Sequence, residues 1–306
     1  MNPKSIVNLF SILVLFFSFS YVFPIIVSII FEDGALDIFI KTLVGVSSLG
    51  MLGLLLTRNI ENDLSQKDGF VIIVMFWMVL SIAGSVPFYL SGMSMIDSFF
   101  ESMSGITTTG ASVISNIDVL PESLLFYRQL LQWMGGMGLI VLAIAVMPLL
   151  GIGGGQIYKT EIPGAMGEQK LTPRIKETAQ ALWSIYLGLT VICALLYYIS
   201  GMSVFDAISH SMSTVAIGGF STHNESIGFF NSFTIELICM VFMLLSAFSF
   251  TLHYFALYKR KPLKYLYDPE LRFFVGIIFL IFALAVIISV VSVSYTHLTL
   301  PTNREV

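Results

Sequence analysis

One stretch of the chain occurs twice, and this repeat constrains the fold more than any other feature of the sequence. Residues 91–112 read SGMSMIDSFFESMSGITTTGAS, and residues 200–221 read SGMSVFDAISHSMSTVAIGGFS. The two stretches align without a gap at an offset of 109 residues, and 10 of the 22 paired positions are identical. A duplication of this kind predicts an architecture built from repeated structural units.

Each copy begins with a helix N-terminal signal and continues as a short apolar helix. Ser94 and Asp97 form a Ser-x-x-Asp capping pair, which the second copy repeats 109 residues later. The sequence predicts helices over residues 95–106 and 204–215. A helix of this length spans about 18 Å, whereas the hydrocarbon core of a bilayer is about 30 Å thick. Each helix is therefore predicted to enter the membrane and stop inside it.

Glycine and small or hydroxyl residues follow each short helix. Non-helical backbone at membrane depth is tolerated only inside protein or against a water-filled cavity, because lipid cannot satisfy its polar groups. Rings of backbone carbonyls can replace the hydration shell of a cation. The pattern predicts two re-entrant filter loops, and the flanking apolar helices favour this over a small-residue packing surface. The predicted ion-binding residues are Thr107, Thr108, Thr109, Gly110, Ala216, Ile217, Gly218 and Gly219.

The composition indicates an integral membrane protein, and the succession of apolar helices predicts an all-α polytopic fold. Hydrophobic residues make up 56% of the chain and charged residues only 11%, which excludes an ordinary soluble core. The net charge of -4 gives no indication of a nucleic-acid partner. The predicted organisation has two additional N-terminal helices (1–58), a first pore unit (69–150), a cytoplasmic loop (151–177), a second pore unit (178–258) and the first helix of a third unit (271–293).

The last residues depart from this pattern. Residues 294–306 read SYTHLTLPTNREV and are abruptly polar. We interpret them as a non-native read-through tail and exclude them from fold reasoning.

Basic residues predict the orientation. In the proposed topology, 12 of the 15 lysines and arginines fall on one side of the membrane, which is therefore predicted to be cytoplasmic. The filter loops then open toward the outside. Lys41 and Arg128 are exceptions, and both are expected near an interface, where a long side chain can reach water.

Few residues are candidates for other chemistry. Glu101 and His210 occupy the same position in the two short helices, and an ionisable group inside a membrane segment is a functional hypothesis. They are interpreted as filter support or as a site that attracts cations, or else as groups satisfied by a neighbouring helix. Glu236 and His253 are interpreted as packed or interfacial. No catalytic set or zinc-ligand spacing is present, so no catalytic residue, transition metal or cofactor is predicted.

Three runs resemble the TrkH potassium-uptake subunits of the Trk/Ktr/HKT superfamily of cation transporters. They are residues 104–111 (SGITTTGA), 213–223 (STVAIGGFSTH) and 128–138 (RQLLQWMGGMG). The resemblance extends from near the N-terminus to about residue 293. It implies four potassium-channel-like helix, half-helix, helix units around one pore, of which this chain carries two and the start of a third.

The resemblance also implies roles and partners. Gly110 and Gly219 would be the filter glycines, with the three residues before each contributing carbonyls. In this superfamily a glycine at the first filter accompanies potassium passage and a serine accompanies sodium, so Gly110 implies potassium. A homodimer, a cytoplasmic TrkA-type subunit that binds nucleotides, and multi-pass insertion in the bacterial cytoplasmic membrane are implied as well.

Two alternatives remain at this stage. One is a less selective sodium or monovalent-cation channel of the same architecture. The other is an intramembrane enzyme that uses Glu101, His210 or Glu236. Against the enzyme stand the duplicated capping pair and the glycine-ended loops, which acid-base chemistry does not require.

Overall fold

The computed structural model of the chain describes residues 3–58, 66–146 and 171–299, and this part of the chain is helical without strands. Its internal contacts divide the chain into two compact units, residues 1–247 and 248–306. Most of the predicted cytoplasmic loop, residues 151–170, lies outside the described residues. Residues 171–177, also assigned to that loop, are instead helical.

Two N-terminal segments precede the repeats. Helices α1 (Pro3–Ser18) and α2 (Val22–Phe31) are joined by a 3-10 turn, and α3 is Leu36–Leu56. The α1 and α3 backbones approach closely, because a Cβ atom added at Gly50 would lie 3.2 Å from the backbone nitrogen of Leu15. These helices correspond to the predicted N-terminal pair.

The two repeats fold in the same way. The first consists of α4 (Gln66–Leu90), α5 (Met95–Ile106) and α6 (Glu122–Val146). The second consists of α7 (Leu171–Ile199), α8 (Val204–Val215) and α9 (Phe233–Ala247). The predicted bounds of both short helices, α5 and α8, are confirmed.

Both short helices begin with the predicted capping pair. The hydroxyl of Ser94 accepts a hydrogen bond from the N–H of Asp97 at 3.1 Å and donates to its carboxylate at 2.7 Å. Ser203 and Asp206 repeat this arrangement at 3.0 and 2.7 Å. The caps satisfy N–H groups that have no partner within the helix, and the bound carboxylates favour these helix starts electrostatically.

An aromatic cluster fixes α6 within the first unit. The ring of Tyr127 lies 5.4–5.8 Å from the rings of Tyr21, Phe39 and Phe88, measured between centroids. The Tyr127 hydroxyl donates to the carbonyl of Gly84 at 3.0 Å. Aromatic contacts of this kind stabilise a fold beyond the burial of their area, so α6 is held against α3, α4 and the 3-10 turn before α2. This matters because α6 carries the side chains that contact both loops.

The second compact unit, residues 248–306, contains α10 (Phe250–Leu257), α11 (Lys264–Tyr267) and α12 (Pro269–Thr299). The second pore unit, predicted to extend to residue 258, is interrupted after α9, because Phe248 and Ser249 are not helical and ψ of Ser249 is 122°. Helix α12 continues to Thr299, beyond the predicted start of the tail, and residues 300–306 lie outside the described part. The interpretation of residues 294–306 as non-native stays a prediction.

Four described helical segments are long and apolar enough to cross a membrane. They are Lys4–Phe31, Leu36–Leu56, Gln180–Ile199 and Pro269–Val290. The short helices α5 and α8 have 12 residues each, about 18 Å at 1.5 Å per residue, which is too short for a bilayer crossing. The described chain therefore has the alternation of long and short helices that the repeat predicts.

Candidate functional site

Two loops share the same pattern of φ signs. They are residues 107–112, here called the first loop, and residues 216–221, here called the second loop. In the first loop φ is positive at Thr108 (53°) and Gly110 (75°). In the second loop φ is positive at Ile217 (53°) and Gly219 (87°), again at an offset of 109 residues. The left-handed region costs glycine little but strains a β-branched residue. The duplication therefore extends to backbone strain at Thr108 and Ile217.

Matching hydrogen bonds hold both loops to the ends of their short helices. The N–H of Thr109 donates to the carbonyl of Ser104 at 2.9 Å, and the N–H of Gly218 donates to that of Ser213 at 2.8 Å. The N–H groups of Thr108 and Ile217 likewise donate back into their helices, at 3.0 and 3.1 Å. These N–H groups thus face their own helices.

The two loops touch at their glycines. A Cβ atom added at Gly110 would collide with the carbonyl oxygen of Gly218, and one added at Gly219 would lie 3.9 Å from Cα of Gly110. Any larger residue at position 110 must therefore displace backbone of the other loop. The structure brings the two predicted filter segments together at one place.

Glu101 is fully buried on α5, and its carboxylate accepts hydrogen bonds from three residues. Its carboxylate accepts hydrogen bonds from the Ser112 hydroxyl at 3.1 Å and the Val113 N–H at 3.2 Å. It also accepts from Nε of Arg128 at 2.8 Å, which makes a buried ion pair. Glu101 therefore anchors the end of the first loop to α6.

Arg128 is fully buried on α6, so its side chain does not reach water as predicted. The expectation rested on the usual cost of burying a cation, which here is offset by Glu101 and further hydrogen bonds. Its guanidinium donates to the Ser221 carbonyl at 3.0 Å and the Ser112 hydroxyl at 3.2 Å, and it lies 4.3 Å from the centroid of the Phe220 ring. Arg128 thus joins the ends of both loops by donating from all three nitrogens of its planar guanidinium.

His210, the counterpart of Glu101, is also buried, and its ring contacts the end of the second loop. Nδ1 lies 2.9 Å from the Asp206 carbonyl oxygen, and Nε2 lies 2.9 Å from the Ser221 hydroxyl. A carbonyl can only accept, so Nδ1 carries the proton and Nε2 of the neutral ring accepts from Ser221. Glu101 and His210 therefore bind equivalent serines, Ser112 and Ser221, with side chains of different charge.

Gln132 lies one helical turn after Arg128 and binds the backbone of the second loop at two points. Its amide nitrogen donates to the Gly218 carbonyl at 2.7 Å, and its amide oxygen accepts from the Phe220 N–H at 3.0 Å. The side chain is fully buried. It fixes the orientation of the Gly218 carbonyl, one of the predicted ion-binding oxygens, and leaves that oxygen a second lone pair.

Two glycines let the α6 backbone fit between the loops. A Cβ atom at Gly135 would collide with the carbonyl oxygen of Ile106, the last residue of α5. A Cβ atom at Gly136 would lie 3.3 Å from Cα of Ala216, at the start of the second loop. Together with Arg128 and Gln132, these glycines make α6 the element that organises the site.

The segments that follow the loops are joined to each other. The Asn224 amide nitrogen donates to the carboxylate of Asp118 at 2.5 Å and to the side-chain oxygen of Asn116 at 2.8 Å. The Asn224 side-chain oxygen accepts from the N–H of Ile117 at 2.7 Å. These contacts tie the exits of the two repeats together.

The other predicted candidates lie elsewhere. Glu236 is exposed on α9. His253 is buried in the second unit, and its Nδ1 lies 2.6 Å from the Tyr265 hydroxyl. The interpretation of His253 as a packed residue agrees with this contact. Glu236 does not contact Arg128 or Gln132 on α6.

Arg128, Gln132 and the serine that ends each loop were not predicted as site residues. The sequence carries a signal for them, because Arg128, Gln132 and Gly136 recur at intervals of four and share one helix face. Ser112 and Ser221 are also identical between the copies. Which loop this face contacts depends on tertiary packing that the pattern does not encode.

Asp33, in the turn between α2 and α3, secures the start of α6. Its carboxylate accepts hydrogen bonds from the Ser123 N–H at 2.7 Å, the Ala35 N–H at 3.0 Å and the Ser28 hydroxyl. Partial burial opposes ionisation, but hydrogen bonds from Ser123 and Ser28 outweigh it and hold the pKa of Asp33 below its usual value. The ionised carboxylate therefore stabilises the folded state.

The Asp33→Asn substitution is expected to destabilise the protein only at higher pH. A depressed pKa contributes stability that is present above the unfolded value of 3.8 and is lost as the pH falls through the folded value. In detergent at neutral pH, the melting temperature should fall by about 2–4 °C, the shift for a loss of about 1 kcal/mol. The difference between variant and parent should shrink below about pH 4. A difference that does not change with pH would contradict this role.

Comparison with known proteins identifies related sequences along most of the chain. The TrkH family profile, described as a cation transport protein, matches residues 36–303. The Trk system potassium uptake protein TrkH of Halomonas elongata is 52% identical over 276 residues, covering 89% of this chain and 57% of that protein. Its counterpart in Escherichia coli strain K12 is 45% identical over 282 residues, covering 91% and 58%.

A solved structure is also similar. The crystal structure of the potassium transporter TrkH from Vibrio parahaemolyticus superimposes with a TM-score of 0.81 at 46% sequence identity. It covers 93% of this chain, and the chain covers 58% of it. The chain thus spans less than two thirds of the length of these relatives.

Proposed function

This chain belongs to the TrkH family of cation transport proteins, and from that premise we propose that it forms the ion-translocating part of a potassium-uptake subunit. The relatives above carry the name Trk system potassium uptake protein. Membership in a family of cation transport proteins also removes the intramembrane enzyme as an alternative. The proposal concerns the pore of the complete protein, to which the two repeats of this chain contribute.

The observation that carries the proposal is the meeting of two equivalent loops at Gly110 and Gly219. In both loops φ is positive at the second and fourth residues. In both, N–H groups near the start of the loop donate hydrogen bonds to carbonyls of the preceding short helix. Carbonyl oxygens of residues 107–110 and 216–219 would then replace water around a dehydrating cation. The C-terminal ends of α5 and α8 add partial negative charge at that position.

Glu101 and His210 act in this proposal as supports and not as sites that attract cations. Arg128 neutralises the Glu101 carboxylate at 2.8 Å, and the His210 ring is hydrogen-bonded at both nitrogens. Neither side chain therefore offers an uncompensated negative charge to an ion. Their contacts with Ser112 and Ser221 favour a role in holding the loop ends in place.

The finer parts of the proposal follow from the family resemblance. The subunit would reside in the bacterial cytoplasmic membrane as a homodimer, with a TrkA-type nucleotide-binding subunit on its cytoplasmic side. Ions would enter from outside and pass inward along the electrochemical gradient. A less selective sodium or monovalent-cation channel is the alternative, since the fold would be the same.

The Gly110→Ser variant tests the filter and separates these two functions. In the complete protein, expressed in cells that lack their own potassium uptake, the parent should take up radioactive rubidium and potassium should compete better than sodium. The serine Cβ would push on the Gly218 carbonyl, so the preference for potassium should fall by about tenfold, equivalent to about 1.4 kcal/mol.

Gly188→Ser is the matched control, because a Cβ atom at Gly188 in α7 has nothing within 4 Å among the described residues. It should retain the parental selectivity. An unchanged preference in Gly110→Ser would remove the filter assignment. Equal competition by sodium and potassium in the parent would favour the less selective channel.

A further inference from the structure

The segment of residues 257–272, which runs from the end of α10 through α11 into the start of α12, is strongly basic. It holds five cationic side chains against two carboxylates, those of Asp268 and Glu270, in a chain whose net charge is -4. All five cationic residues are exposed. They are Lys259, Arg260, Lys261, Lys264 and Arg272.

These cations have no carboxylate partner among the residues that the structure describes. The ion pairs found there involve Lys41, Arg128 and His223 instead. Nζ of Lys264 lies 3.4 Å from the centroid of the Phe255 ring, and Arg272 donates only to backbone carbonyls at 3.4 Å. Within the described residues, the side chains of the four cations other than Arg272 make no hydrogen bonds, and all five are exposed, so their donors are accessible to an outside partner.

Exposed apolar and aromatic side chains are interleaved with the cations. Leu263, Leu266 and Tyr267 are 63%, 67% and 73% exposed. Tyrosine is typical of membrane interfaces, where its ring is apolar and its hydroxyl is hydrated. The segment therefore combines the two properties that a headgroup region favours, which are positive charge and amphipathic rings.

The position of the segment along the chain places it at a bilayer surface. Helix α12 begins at Pro269, and Pro269–Val290 is a candidate membrane span with a mean hydropathy of 3.1. Residues 259–264 therefore precede a membrane helix by no more than ten residues. Clusters of lysine and arginine beside a membrane helix are attracted to anionic lipid.

We propose that residues 257–272 bind the phosphate headgroups of anionic phospholipids. Lysine and arginine would donate charge-assisted hydrogen bonds to the headgroup phosphate, while Leu263, Leu266 and Tyr267 insert beside the acyl chains. The site is independent of the loops and of the ion that they conduct. It predicts a preference for phosphatidylglycerol over phosphatidylcholine, which also has a phosphate but no net charge.

Photocrosslinking of the full chain in vesicles tests this proposal. Vesicles hold an equimolar mixture of the two lipids, with either phosphatidylglycerol or phosphatidylcholine carrying a photoreactive headgroup, and labelled peptides are identified by mass spectrometry. Photoreactive phosphatidylglycerol should label peptides from residues 257–272 at least about three times as strongly as photoreactive phosphatidylcholine does. This preference should fall in about 1 M salt, where the screening length is about 3 Å.

Charge variants separate lipid binding from other uses of the cluster. The triple variant Lys259→Gln, Lys261→Gln and Lys264→Gln should lose the preference, and the corresponding triple arginine variant should retain it. Lys41→Gln removes an exposed lysine paired with Asp37 and should change nothing at residues 257–272. Equal labelling of the unaltered chain by both lipids would overturn the proposal and indicate another partner, such as an acidic protein surface. Retention of the preference in the glutamine variant would overturn it too.

Discussion

Replacing Arg128 by Met is expected to abolish rubidium uptake and to destabilise the protein by about 3–5 kcal/mol, the usual cost of leaving one charge of a buried pair without its partner. The variant leaves the Glu101 carboxylate buried, with Ser112 and Val113 as its remaining donors among the described residues. It also leaves the Ser221 carbonyl without its guanidinium donor. Thermal unfolding in detergent and rubidium uptake by the complete protein measure the two effects.

Two further variants identify the cause of this loss. Adding Glu101→Gln to Arg128→Met removes the orphaned charge and should recover part of the stability, because the amide oxygen still accepts from Val113. Arg128→Lys keeps the charge but cannot reach Glu101 and Ser221 together, and an intermediate stability is expected. If Arg128→Met unfolds at the same temperature as the parent, the ion pair does not hold the loops.

Replacing Gln132 by Leu is expected to have the second largest effect. The change leaves the Gly218 carbonyl and the Phe220 N–H buried without partners. Each unsatisfied group costs about 1–3 kcal/mol, so a loss of about 2–6 kcal/mol is expected. Because the carbonyl of Gly218 is then free to rotate, the preference for potassium over sodium should fall together with the stability.

Gln129, beside Gln132 on α6, offers a matched control. Its side chain is fully buried, and neither polar atom has a hydrogen-bond partner within the described residues. Gln129→Leu should therefore cost far less than Gln132→Leu and leave ion selectivity unchanged. Equal losses of stability and selectivity in the two variants would show that the contacts of Gln132 have no special role.

The short helices and loops could be predicted because their signals are local. The capping serine and aspartate fix the start of each short helix, and the glycines permit the positive φ at the same two positions in each loop. Duplication strengthened the prediction, since each copy served as a check on the other. The bounds of both short helices were correct for these reasons.

The environment of α6 could not be predicted because its partners are distant in sequence. Arg128 lies early in the helix, and its burial depends on Glu101, 27 residues before it, and Ser221, 93 residues after it. The break after α9 was missed for a different reason. Neither Phe248 nor Ser249 is a glycine or proline, so no local signal marks the non-helical ψ of Ser249.

The most direct test of the central claim is the anomalous scattering of rubidium in crystals of the complete protein. The claim is that the first and second loops bind one ion with backbone oxygens. A rubidium peak in direct contact with carbonyl oxygens of residues 107–110 and 216–219 is predicted, and it should weaken when excess potassium is added. Rubidium peaks that contact neither loop, or no more than one of them, would contradict the claim.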